Sequence, residues 1–182
     1  IALMQPFRFG AYVAGEGIQA FQYDDHFCID SERKCLLVAP KDQQAALMLA
    51  IAEQFPEPYT LGYAIVEPQE NITMGSYVRR EAISLQELHL WMEEFGPFLE
   101  KDARHNFWII GRGGECSIFY DQHDILYLRG DLDALRKLFG SLGANRRCRR
   151  NALSPHPSLF PRMGFDDGPF ALFRAMGTGS PE

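Results

Sequence analysis

The sequence predicts an α+β fold, an antiparallel sheet packed against about three helices. Three observations predict it. Short aromatic and β-branched runs recur between polar turns, three later segments switch to a period near 3.6 residues, and the turns joining the last runs are too short for anything but antiparallel neighbours. Composition agrees: the 182 residues are 46% hydrophobic and 23% charged, which excludes collagen, coiled coil and a wholly disordered chain. A chain of this size buries a sizeable core without disulfide or metal staples, so one domain is expected over residues 1–143.

Taken in order, residues 7–14, 18–23, 27–30 and 35–39 read as short strands of an antiparallel meander, with the polar stretch 30–34 turning between the last two. After Pro40 the period changes. Ala46, Leu47, Leu49, Ala50, Ile51 and Phe55 are spaced as one helical face, and Asp42 suits the positive end of a helix dipole, so a helix is expected over 41–55. Pro56 and Pro58 stop it, because proline lacks an amide proton and restricts the residue before it.

Residues 59–67 read as a strand, with a further edge at 77–80. Ser84 with Glu87 three positions on forms a capping box, which opens a helix over 84–95. Leu85, Leu88, Trp91, Met92 and Phe95 make its apolar stripe, and Gly96-Pro97 is expected to bend or end it, with Phe98 and Leu99 adding a last turn. Strands follow at 107–110, 116–120 and 125–128, joined by the turns Gly111-Arg112-Gly113-Gly114 and Asp121-Gln122-His123-Asp124. Gly130-Asp131 caps a final helix over 132–142, and Gly143 ends it.

Residues 144–182 contain five prolines and no sustained period, which predicts a flexible or loosely docked tail. Phe160, Phe165, Phe170, Leu172 and Phe173 are its apolar docking candidates. Ile1 in place of a starting Met reads as a fragment, a processed product or an unusual start. A basic, then apolar leader is not seen, though a trimmed one is compatible with the chain, and no apolar run is long enough to span a bilayer.

The net charge of −6 is unevenly spread. Six arginines against Asp166, Asp167 and Glu182 make residues 144–182 +3, leaving −9 on the body. An acidic body repels phosphate backbones and attracts cationic surfaces, so nucleic acid is not expected as its ligand. Cys28, Cys35, Cys116 and Cys148 form no CxxC pair, which favours reduced thiols and a cytoplasmic location over a disulfide framework; a hairpin disulfide between Cys28 and Cys35 is the alternative in an oxidising compartment.

Candidate chemistry is sparse. His123 between Asp121 and Asp124 has the residue types of an acid–base pair, but Asp and Asn also favour turns by bonding their own backbone. Cys116 with His123 and Asp121 would make a thiol hydrolase or transferase; a packed strand cysteine is the simpler reading. The Gly111 to Gly114 stretch lacks the helix that must follow a phosphate loop, and so reads as a hairpin. His26, Cys28 and Cys35 are possible soft metal ligands with no fourth partner, and neither a metal nor a cofactor is expected. The arginines around Cys148 read as a solvated tail rather than a nucleic-acid site.

Phe107-Trp108-Ile109, Tyr120-Asp121-Gln122-His123-Asp124, Leu126-Tyr127-Leu128 with Gly130, and a closing helix with Leu135 and Leu138 together carry a resemblance. Residues 105–143 resemble the C-terminal part of small bacterial immunity proteins, which protect a cell from its own or a neighbour's secreted toxin. The resemblance implies an α+β domain with no catalytic centre that binds one toxin and occludes its active site. The proline- and arginine-rich segment 144–182 departs from that pattern. The expectation is therefore a protein-binding module whose acidic face, Glu87, Glu93, Glu94, Asp121, His123 and Asp124, meets a basic protein. A Cys116/His123 enzyme and an adaptor binding through its tail are the competing readings.

Overall fold

In the computed structural model, the described residues are 10–13, 17–20, 23–30, 34–67, 74–141 and 145–146. The strands are β1 (Gly10–Val13), β2 (Gly17–Ala20), β3 (His26–Asp30), β4 (Cys35–Ala39), β5 (Thr60–Ile65), β6 (Gly75–Val78), β7 (His105–Ile110), β8 (Ser117–Tyr120), β9 (Leu126–Arg129) and β10 (Asn145–Arg146). The helices are α1 (Gln44–Ala52), α2 (Leu85–Leu99) and α3 (Leu132–Ser141). The fold is α+β, as the sequence predicts.

The first four strands do not form one meander. Among the described residues β1 and β2 pair only with each other, while β3 and β4 join a larger sheet of order β10-β3-β4-β9-β8-β7-β5-β6. Every pairing in it is antiparallel except β10 with β3. β10 also carries the sheet two residues into the segment expected as tail; the remainder of that segment, with Cys148 and the apolar docking candidates, lies outside the described residues.

Alternation along the strands sorts side chains onto two faces. One row runs straight across six strands: Tyr63, Phe107, Tyr120, Leu126, Val38 and Phe27. This face carries the helices. Phe139 of α3 meets Phe27 with ring centroids 5.9 Å apart, and Trp91 of α2 stacks on Phe107 at 4.8 Å. Met48 and Ile51 of α1 are fully buried in the same core. The opposite face bears a second row, Gly62, Trp108, Phe119, Tyr127, Leu37 and Cys28. Trp108 and Phe119 are buried there too, so the unbroken apolar run of β7 has both faces covered.

Helix ends depart from expectation for identifiable reasons. α1 starts at Gln44 because Gln43 is left-handed, at φ 56°, and its early amide on Ala45 donates to Glu100 Oε1 of the α2 end at 2.9 Å. Asp42 does not serve that role. Tyr59 Oη donates to the carbonyls of Ala52 and Phe55, which closes the chain after α1. α2 runs through Pro97 to Leu99. A proline forfeits one hydrogen bond, to the carbonyl four residues back, and here it sits on the exposed side of the last turn. Gly96 is required by α1: a Cβ there would stand 2.9 Å from Ala45 Cβ. α3 begins as predicted, with Asp131 Oδ1 accepting from the amides of Asp133 and Ala134.

Candidate functional site

Six residues were expected to form one acidic docking face, and the structure divides them. Glu87, Glu93 and Glu94 belong to α2, whereas Asp121, His123 and Asp124 form the turn between β8 and β9. The side chains of three of the six, Glu87, Asp121 and Asp124, hold local structure together. Glu87 completes the capping box: its Oε2 accepts from the Ser84 amide at 2.8 Å, and its own amide donates to Ser84 Oγ at 3.3 Å. The Ser84 amide and, after it, the Ser84 hydroxyl, both donating to Oε2, hold its carboxyl below the usual carboxylate range.

Asp121 is buried, and its Oδ1 accepts from the amides of His123 at 2.8 Å and Ile125 at 3.0 Å. This is the side-chain turn that Asp favours. Its Oδ2 lies 3.4 Å from His123 Nδ1 and 3.3 Å from Tyr127 Oη. Asp124 takes a left-handed conformation, φ 62°, and accepts from Tyr120 Oη at 2.6 Å. Gln122 donates its amide to Asn106 Oδ1, which ties the turn to β7. Burial, followed by the charges of Asp121 and Asp124, pushes the Tyr23 phenol far up, so it stays neutral beside them. The polar cluster is thus a braced hairpin turn.

Glu93 and Glu94 are exposed on the outer side of α2. Between and beside them stand apolar side chains that sequence reading did not single out: Leu90 is 61% exposed and Phe98 47%. Phe95, expected within the buried stripe, is 39% exposed at its edge, where it packs on Trp91 at 4.9 Å. The buried side of α2 is Leu88, Met92, Gly96 and Leu99. Leu90 and Phe98 fall off that stripe by the helical period, which is the signal by which a sequence reader finds them.

The thiol arrangement is not assembled. Cys116 precedes β8 and His123 follows it, so the whole strand separates them, about 13 Å at ~3.3 Å per residue. Cys116 instead lies against Gly130 and Gly111, with Phe55 beside them. Burial, then the carboxylates of Glu115 and Asp131, raises its thiol above the ordinary range, opposite to what a nucleophile needs. Cys28 faces Leu37 and Cys35 faces Asp30, so those thiols are diagonal neighbours, and no disulfide joins the two. His26 and Cys35 sit at opposite ends of the β3–β4 pair. Among the described residues, no group of three or more His, Cys, Asp and Glu is placed to hold a metal ion. The Gly111 to Gly114 stretch is a short connection fastened by Arg112, whose amide and Nε donate to the carbonyls of Pro56 and Glu57.

No family model, curated protein or solved structure matches this chain. Among the described residues, no helix is long and apolar enough to cross a membrane.

Proposed function

We propose that the protein is a non-enzymatic binding module that recognises a basic protein through the outer face of α2, and that it acts as an immunity protein occluding a toxin's active site. The observation that carries this reading is the juxtaposition of Leu90 and Phe98, both well exposed, with the carboxylates of Glu93 and Glu94 on one helix anchored to the core along its other side. Apolar side chains ringed by charge are the composition of a binding hot spot: the apolar groups supply affinity, and the charges steer encounter and select the partner. The −9 of residues 1–143 adds a long-range field of the same sign. In this reading Glu87, Asp121, His123 and Asp124 shape the surface nearby and do not anchor the partner.

The free thiol of Cys116, with no disulfide joining Cys28 to Cys35, supports a reducing, cytoplasmic location. The separation of Cys116 from His123, and the raised thiol, count against the hydrolase or transferase reading. Co-expression with the protein encoded beside it tests the proposal. Protection from growth arrest that is lost in the Glu93→Lys, Glu94→Lys double variant supports it; neither protection nor complex formation overturns it.

A further inference from the structure

We propose that β6 is a self-association edge: two copies of this chain pair their Gly75–Val78 strands antiparallel about a two-fold axis, so that one sheet continues into the next. β6 ends the sheet, and among the described residues no strand lies beyond it. The Arg79 amide donates inward to the Leu61 carbonyl at 2.9 Å. Alternation therefore turns the N–H and C=O of Ser76 and Val78 outward. Natural edges are usually guarded by charge, proline or a bulge, and the four residues Gly75, Ser76, Tyr77 and Val78 include no charge and no proline. Tyr77 is 51% exposed and Val78 41%.

Charge placement selects a second copy as the occupant. Exposed Glu67, which follows β5, stands beside the Gly75 end of this edge, and at its other end exposed Arg79 and Arg80, followed by exposed Glu81, leave a net positive charge. An antiparallel two-fold brings the arginine end of each copy to the Glu67 end of the other, so every favourable contact forms twice. Opposed residues must share a face of the sheet. That condition allows Tyr77 to meet Tyr77 of the second copy, with Ser76 opposite Val78 and Gly75 opposite Arg79. In this register the outward-facing pair, Ser76 and Val78, exchanges the backbone hydrogen bonds. Tyr77 shares its face with Tyr63, so the aromatic surface of that face becomes continuous across the seam.

Sedimentation equilibrium of the full chain tests this. The expected result is a dimer whose dissociation constant rises at least about tenfold in Val78→Pro, which removes an outward amide and leaves the β5–β6 hydrogen bonds intact. The far-ultraviolet spectrum should be unchanged. Should that variant fail to fold, charge reversal carries the test: Arg80→Glu and Glu67→Arg each weaken the dimer, and the double variant restores it. A chain that stays monomeric at all concentrations, or a dimer indifferent to all of these changes, overturns the proposal. A monomer that takes up a foreign extended peptide at this edge overturns it as well. The proposal does not depend on α2, so loss of partner binding in the Glu93, Glu94 double variant leaves it standing.

Discussion

The Trp108 indole lies flat across Gly62 of the neighbouring strand: a Cβ built on Gly62 would stand 1.9 Å from Trp108 Cε2 and Nε1. Gly62 is thus the place where the aromatic row of the second sheet face begins, with Trp108 stacked near Phe119 and Phe119 edge-on to Tyr127. The expected outcome for Gly62→Ala is a loss of about 3 kcal/mol or more, because a 2%-exposed indole has nowhere to move. Chemical denaturation read by tryptophan fluorescence measures it; a variant as stable as the parent would show that the face can repack.

Asp121 and Glu94, both counted as docking candidates from sequence, should separate cleanly under mutation. Asp121→Ala leaves the amides of His123 and Ile125 without their acceptor in a buried turn and should cost about 1–3 kcal/mol. Glu94→Ala removes an exposed carboxylate and should stay within about 0.5 kcal/mol. Thermal unfolding of the two variants distinguishes them, and equal effects would refute the division of labour drawn between turn and helix.

Acid stability should depend on two carboxylates. The Arg104 guanidinium hydrogen-bonded to Asp102 holds that carboxyl below its ordinary range, as Ser84 does for Glu87. A carboxyl lowered on folding adds stability above its unfolded pKa and loses it as pH falls through the folded one. Asp102→Asn and Glu87→Gln should each lower stability at neutral pH and flatten its decline under acid. Midpoints of urea unfolding across the acid range check this; an unchanged slope in both variants contradicts it.

Cys116 should be a sluggish nucleophile. Its thiol is raised by burial and by neighbouring carboxylates, so alkylation at neutral pH should be slower than for a free cysteine and should accelerate on unfolding. A Cys148→Ser background restricts the readout to Cys28, Cys35 and Cys116. Rapid labelling of Cys116 in the folded protein would revive the thiol chemistry set aside above.

The association kinetics of the α2 face carry a salt signature. Replacing Glu93 and Glu94 with Lys should lower the association rate at low ionic strength and leave a smaller difference at high salt, because screened charges steer weakly. An equal effect at both salt concentrations would place the carboxylates inside the contact and not at its rim.

What the amino-acid order determined by itself is local. The capping box at Ser84 and Glu87, the Asp131 cap and the two hairpin turns of the last three strands all depend on residues within one or two turns of each other, and each is found where turn chemistry places it. The stripe expected on α1 is not: Ala46 is exposed and the buried side is Gln44, Met48, Ile51 and Ala52, because α1 is apolar nearly all round and its own period does not select a face. Even the two-sided burial of β7 is implicit in its unbroken Phe107 to Ile110 run. Tertiary structure alone decided the rest: that β4 pairs with β9, that β5 lies between β7 and β6, that Glu100 and not Asp42 satisfies the start of α1, that β8 separates Cys116 from His123, that Leu90 is left exposed and that Phe98, stacked on His105 through one face, is left half exposed. These relations join residues far apart in the chain. No local pattern encodes them, because strand partners and solvent exposure are set by how all the elements bury their apolar faces together.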